Sequence, residues 1–218
     1  TCVAPDYIIC HSRVKKELIS ALIAESSMIF GAHSSEHEDF PKIISKKHFD
    51  RALKLIDASK TVFGGVVDIP ALKIDLTIMD NVTFNDKVMQ EEIFAPILPI
   101  IEYTNIDDVI DDLKYKDKPL ALYLFTNDKK MEEKVINNIS FGSGAVNDAL
   151  IHITNHNAPF GGVGASGMGA YHGKYSFETF SHQKHIYKKY LFFDNKLRFF
   201  PKIKKKLLGF GFINKFTL

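Results

Sequence analysis

Ile97-Leu98-Pro99-Ile100-Ile101-Glu102-Tyr103 is the stretch that sets the fold class. It is an apolar run of strand length, opened by Pro96 and followed by the polar Thr104-Asn105. Such a run reads as a buried strand. Downstream, 106–113 has the spacing of a helix with acids on its outer face, and 120–125 reads as a second strand. Residues 128–139 read as a helix capped by Asn127 or Asp128, and 143–146 as a third strand. A β-α-β-α-β order with helices of about 10–15 residues implies an α/β fold, a mostly parallel sheet with flanking helices.

Upstream of that unit, 7–10 is a short apolar strand candidate. Residues 13–30 carry apolar side chains at helical spacing and stop at Gly31. A polar loop covers 33–39, and Ser45 is placed to cap a helix in which Phe49, Leu53 and Ile56 share a face. Residues 60–63 read as a strand ended by Gly64-Gly65, 72–79 alternates as one strand, and 88–94 reads as a short helix. After Asn147 the pattern turns to loop, and seven of the eleven residues from Phe160 to Ala170 are Gly or Ala.

The chain has 218 residues, 45% hydrophobic and 25% charged, an ordinary globular composition. It excludes collagen-like, low-complexity and wholly disordered classes. No apolar run reaches the roughly 18 residues of a membrane-spanning helix. The formal charge of +2 conceals an asymmetry: residues 184–218 hold ten Lys/Arg against Asp194 alone, a net +9, and the remainder is −7. With 25 Lys against 3 Arg, the chain suggests an AT-rich, bacterial genome. Cys2 and Cys10 are the two cysteines, too few for a disulfide framework. No basic and apolar leader opens the chain, so a reducing cytoplasm is the expected compartment.

Four constellations carry candidate chemistry. Cys2 lies just before a strand, where a thiol of lowered pKa could act as a nucleophile; otherwise it is a small buried residue, as Cys10 is taken to be. Gln90-Glu91-Glu92-Ile93-Phe94-Ala95-Pro96 is either a helix end with solvated acids or a carboxylate for a sugar diol beside an aromatic that covers a flat ring. Gly162-x-Gly164-x-x-Gly167 matches a dinucleotide-binding spacing literally. We set that aside, because no apolar strand enters it, Tyr171-His172-Gly173 opens no amphipathic helix, and no acid follows at the expected distance. A loop packing backbone against backbone, or lying along a substrate tunnel, explains its glycines better. His152 and His156 are spaced i, i+4, but Thr154, Asn155 and Asn157 make a poor helix and no third ligand is placed, so no metal site is expected.

Thr1-Cys2-Val3-Ala4-Pro5-Asp6-Tyr7, Glu91-Glu92-Ile93-Phe94-Ala95-Pro96, Lys118-Pro119-Leu120-Ala121-Leu122-Tyr123, Asn147-Asp148 and Pro159–Gly169 with Tyr171-His172-Gly173-Lys174 occur in this order. Together they resemble the aldehyde dehydrogenase superfamily, in its class 3 or fatty-aldehyde branch, over residues 1 to about 190. The resemblance implies that Cys2 is the thiolate that attacks the aldehyde, its backbone N–H helping to hold the oxyanion. It implies NAD or NADP as cofactor, with Glu92 on the nicotinamide ribose and Phe94 beside the nicotinamide ring. It implies that Asn147, Phe160 and Gly161 shape the substrate side of the pocket. Residues 1–181 would form the catalytic domain, and 182–190 an oligomerisation strand that extends a partner's sheet in a homodimer. Ala95 stands where the family commonly has Gly.

The nucleotide-binding domain, the general-base glutamate and the oxyanion-hole asparagine precede the nucleophile in the family, so the chain reads as a C-terminal catalytic half, expected to lack turnover alone. Medium- or long-chain or aromatic aldehydes are the expected substrates. Two alternatives stand beside this: a cysteine hydrolase or acyltransferase pairing Cys2 with His172, and a silent piece acting in dimerisation. The basic tail, 191–218, interleaves seven phenylalanines with lysines. It reads either as a helix packed over the catalytic domain or as a peripheral contact with an anionic membrane. Nucleic acid is not an expected partner, since the rest of the chain is acidic.

Overall fold

The computed structural model describes residues 1–192. The chain opens with a turn closed by the Ala4 N–H on the Thr1 carbonyl (3.0 Å) and enters strand β1 (Ile8–His11). Helix α1 (Lys15–Phe30) ends at Gly31, whose φ of 79° lets the chain leave the helix axis. Helix α2 (Lys46–Leu53) starts on Ser45, whose hydroxyl accepts the His48 N–H. Strands β2 (Thr61–Phe63), β3 (Val67–Asp68), β4 (Lys73–Ile74), β5 (Thr77–Val82) and β6 (Ile97–Tyr103) follow. Then come α3 (Ile106–Lys114), β7 (Ala121–Leu124), α4 (Lys129–Asn138), β8 (Ser143–Val146) and α5 (Gly173–Thr179). Asn105 and Asp128 cap α3 and α4 by accepting N–H groups of their first turns.

The main sheet has the order β1-β6-β5-β2. Strands β1 and β5 both run parallel to β6, with Ile8 opposite Ile100 and Thr77 opposite Ile97; β2 is antiparallel at the edge. Alternation along β6 divides the core. Ile100, with Ile78 and Cys10, meets Leu18, Ile19, Leu22 and Ile23 of α1. Ile97 and Ile101, with Met79, meet Phe49 and Ala52 of α2 and Ile93 from the loop before β6. Helices on both faces explain why β6 is apolar from Ile97 to Ile101 rather than alternating with polar residues, the acid Glu102 standing only near its end. Pro99 lacks an N–H for the ladder, and the pairing with β5 slips just beyond it, between Met79 and Val82. Strands β7 and β8 pair in parallel as a second sheet, with Ile110 of α3, Val135 of α4 and Ile139 just after α4 clustered on it.

Three elements differ from the sequence expectation. The single strand expected over 72–79 is two, β4 and β5, because the chain leaves extended pairing at Asp75 and Leu76. The buried Asp75 carboxylate accepts the Ser35 N–H (2.8 Å) and faces His33 Nδ1 (3.2 Å), and the Leu76 N–H donates to the Ser34 hydroxyl (2.7 Å). The expected helix over 88–94 is only a 3-10 turn, Lys87–Met89, because Ile93 and Phe94 give their N–H groups to Asp6 instead of to helical carbonyls. A short helix does open at Gly173, contrary to the expectation, but it buries none of its residues.

A feature with no sequence signal is Lys15, 8% exposed at the start of α1. Its ammonium reaches Asp80 (2.9 Å), Glu102 (2.6 Å) and Asn81 (3.1 Å), which ties α1 to the ends of β5 and β6. Three acceptors match the three donors of the ammonium, the condition under which burying such a charge is tolerable.

Two units divide the chain, Thr1–Phe180 and Ser181–Leu218. In the second, residues 182–190 form no ladder in the single chain; Ile186, Tyr187 and Tyr190 are exposed. A strand needs a neighbour for its N–H and C=O groups. The tail over 193–218 lies outside the described residues. No helix among the described residues is long and apolar enough to cross a membrane.

Burial works against ionisation of Asp75, but the Ser35 hydroxyl and N–H and His33 outweigh it and hold the carboxyl below its ordinary range. A carboxyl lowered on folding stabilises fully above its unfolded pKa, and that stability is lost as pH falls through the folded value. We expect Asp75→Asn to cost about 1–3 kcal/mol at neutral pH. In urea titrations between about pH 5 and pH 2 the variant should lose stability less steeply than the parent chain. Parallel pH dependences would contradict this role.

Candidate active site

Cys2 sits in the turn before β1 as an exposed, free thiol. Two anchors fix that turn. Val3, 1% exposed, is buried beneath it, and its carbonyl accepts the Tyr123 hydroxyl from β7 (2.7 Å). Asp6 reaches across the sheet, and its carboxylate accepts the N–H groups of Ile93 (3.0 Å) and Phe94 (3.5 Å). Burial pushes the Asp6 carboxyl up, against the two amide donors and the Arg51 charge that pull it down.

The second of these anchors brings the Glu91–Pro96 loop to the Cys2 turn. Arg51, in the last turn of α2, grips that loop from the other side through the Glu91 carboxylate (3.1 Å) and the carbonyls of Glu92 and Ile93. Ile93 is buried, 1% exposed, while Phe94 stands 61% exposed at a φ of 46°. The two adjacent acids therefore differ. Glu91 is committed to Arg51, whereas the Glu92 carboxylate carries no partner among the described residues.

On the other side of the turn is an aromatic wall. Tyr123 meets His152 edge-on (5.6 Å), His152 lies against Phe160 (6.1 Å), and Phe160 stacks on His172 (5.9 Å) and meets Tyr171 edge-on (5.6 Å). Phe160 and Tyr171 exchange backbone hydrogen bonds, which closes the glycine-rich segment into a loop. Inside it, a Cβ on Gly161 would lie 2.2 Å from the Gly169 carbonyl, and one on Gly162 2.2 Å from that of Ser166. Backbone packs on backbone there.

The sequence pattern of the aldehyde dehydrogenase family matches residues 1–186. The chain belongs to the aldehyde dehydrogenase family. It is 48% identical over 186 residues to a 4,4'-diaponeurosporen-aldehyde dehydrogenase of Staphylococcus aureus, covering 84% of this chain and 40% of that protein. It is 43% identical over 209 residues to aldehyde dehydrogenase family 3 member A2 of Mus musculus, covering 95% of this chain and 43% of the other, which sets it on the class 3 branch. A structure of Staphylococcus aureus AldH in a substrate-bound state superposes with a TM-score of 0.84 at 43% identity, covering 98% of this chain and 47% of that one. The chain thus spans less than half the length of these relatives.

Within this aldehyde dehydrogenase chain, the residues singled out from sequence fall in two groups. Glu92 and Phe94 share the Asp6-bound loop beside the Cys2 turn. Phe160 and Gly161 belong to the aromatic loop linked to that turn through His152 and Tyr123. Asn147 ends β8 at a φ of 57°, and its carboxamide accepts the Thr126 N–H (2.8 Å) and donates to the Thr126 carbonyl (2.9 Å). Its side chain is thus spent on joining the ends of β7 and β8, so its bearing on the pocket is through backbone course.

His152 Nε2 is paired with the Ser143 hydroxyl (3.0 Å). Burial disfavours the charged form of the His152 imidazole and pushes its pKa down. His172 packs on Phe160 and Tyr171, and among the described residues no hydrogen bond joins a histidine to Cys2, as a thiol hydrolase would need. Cys10 is buried between β6 and α1, with its thiol pushed up by burial.

Asp6, Arg51 and Tyr123 escaped the sequence reading. Asp6 and Tyr123 stood inside the quoted motifs without a role of their own, and Arg51 was not singled out. Removing the Asp6 carboxylate orphans the amide of the buried Ile93. Asp6→Ala should cost about 1–3 kcal/mol and Asp6→Asn, which keeps one acceptor, clearly less. Urea midpoints test this; equal losses for the two variants would show that the hydrogen bonds to Ile93 and Phe94 are unimportant.

Proposed function

We propose that this chain carries the nucleophile and the nicotinamide-side contacts of an NAD(P)-dependent oxidation of apolar aldehydes to carboxylic acids. The observation that carries this is the Asp6 link, which holds an exposed thiol and an unpaired carboxylate with a raised aromatic on adjacent loops.

The residues present fit a nicotinamide nucleotide. An unpartnered Glu92 carboxylate suits the two hydroxyls of a ribose, and an exposed Phe94 ring held off the core suits a flat heterocycle. When bound, that cofactor supplies the hydride acceptor. Cys2 acts as thiolate: its sulfur bonds to the aldehyde carbon, and the carbonyl electron pair moves to oxygen, close to the Cys2 N–H. The acyl group left on Cys2 after loss of hydride is a thioester, which water cleaves to the carboxylic acid, returning the thiol. The wall of Tyr123, His152, Phe160 and Tyr171 is suited to apolar substrates, medium- or long-chain or aromatic. Residues 182–190, with Ile186, Tyr187 and Tyr190 exposed, would join a second copy of the chain.

In the full gene product, Cys2→Ala should abolish NAD(P)-dependent oxidation of a medium-chain aldehyde; retained turnover would sink the assignment. Glu92→Gln should raise the KM for the nucleotide at least several-fold with Cys2 alkylation by iodoacetamide unchanged, whereas an unaltered KM would remove Glu92 from the cofactor site. Replacing Ile186 and Tyr187 together by Lys should turn a dimer into a monomer in light scattering, and a persisting dimer would refute the contact.

A further inference from the structure

Tyr123 stands in β7, on the second sheet, yet its hydroxyl is bonded to the residue that follows the nucleophile. That bond, 2.7 Å to the Val3 carbonyl, crosses 120 residues of sequence. The ring of Tyr123 also packs edge-on to His152. One side chain therefore touches the turn that carries the thiol through its hydroxyl and the loop after β8 through its ring.

That loop is strained. Asn147 and Leu150 hold φ values of 57° and 63°, a region that non-glycine residues rarely adopt. Such conformations persist only where the surroundings over-determine them. The Asn147 carboxamide supplies one constraint through Thr126, and the Tyr123 ring, packed on His152, supplies another. The Cys2 turn has few other holds of its own. Besides the Ala4–Thr1 bond and the Asp6 contacts, its fixed point among the described residues is Val3, whose carbonyl would lose its partner without the Tyr123 hydroxyl.

We propose that Tyr123 is a positioning residue for the Cys2 nucleophile, its hydroxyl setting the turn that bears the thiol against the Asn147–Thr154 loop and the aromatic wall on which the aldehyde rests. This deepens the proposed function and rests on it. Attack on a carbonyl needs the reacting atoms near contact distance and aligned, so a shift of the turn by a fraction of an ångström is paid in rate rather than in binding.

Tyr123→Phe removes the hydroxyl and keeps the ring, whereas Tyr123→Leu removes both. In the full gene product, Tyr123→Phe should lower kcat for aldehyde oxidation by roughly tenfold to a hundredfold. The KM for the nucleotide should stay within twofold, since the Asp6-bound loop is untouched. On the 218-residue chain itself, amide exchange followed by mass spectrometry should quicken in segments 1–6 and 148–154 and stay unchanged in 97–103. A Tyr123→Phe enzyme with parental kcat, or a loss seen only with Tyr123→Leu, would overturn the proposal and leave the ring as a packing group. Faster exchange throughout, including 97–103, would also overturn it, because the hydroxyl would then serve global stability. Cys2→Ala, run beside these, separates the two levels: if it keeps turnover, the proposed function itself has failed, and if only the tyrosine variants behave like the parent, the positioning role alone has.

Discussion

Parallel pairing of β1 with β6 is the constraint on which the site depends. Two parallel neighbours begin at the same end of the sheet, so the residues that lead into them must meet there. With Ile8 opposite Ile100, the turn before β1 and the loop before β6 lie side by side although about ninety residues separate them. The thiol of Cys2 belongs to the first and the Glu92–Phe94 pair to the second. Asp6 then converts adjacency into a fixed distance by accepting two amides of the loop. A helix over 88–94 would have used those amides internally, so the failure of that helix and the assembly of the site are one event.

The pairing in turn depends on the burial of β6 from both faces. The middle of a central parallel strand covered by helices on both faces has no solvent side on which a polar residue could stand. Ile97 and Ile101 commit one face to α2, and Ile100 commits the other to α1. A slip of one residue between β1 and β6 would exchange those faces. It would also carry the Cys2 turn about 3.3 Å along the loop, out of reach of the Asp6 contacts. Core register and site geometry are therefore the same quantity, read at two places. Lys15 reinforces it from the far end of the sheet by joining Asp80 of β5 to Glu102 of β6.

What the sequence made legible follows from the range of the interactions involved. Strands over 97–103 and 143–146 and the helix stopped at Gly31 were readable because composition, alternation and local caps suffice to specify them. The break at Asp75 was not, since a buried carboxylate looks like any strand-edge acid until Ser34, Ser35 and His33 close around it. The order of five motifs placed Cys2, Glu92 and Phe94 in one constellation, but spacing alone could not tell Glu92 from Glu91. The difference is made by Arg51, forty residues from Glu91, which occupies one acid and leaves the other. Asn147 shows the converse: sequence drew attention to it, and the structure gives its carboxamide to Thr126.

The second sheet carries this argument one step further. A site at the leading ends of β1 and β6 is open on one side, because the usual crevice of a parallel sheet forms where strands end. Strands β7 and β8 close it from the opposite sense: the loop after β8 is the one that turns back through Leu150 and His152 toward Tyr123 and Val3. Cys2 thus stands where one sheet begins and another ends, and neither sheet alone defines its position. The Tyr123 hydrogen bond to Val3 joins the two sheets, and the Asp6 carboxylate joins the turn to the loop before β6. Both are invisible to periodicity, because each links residues from 87 to 120 positions apart. Local pattern builds the two sheets, and a handful of long-range polar contacts decides how the chemistry between them is aimed.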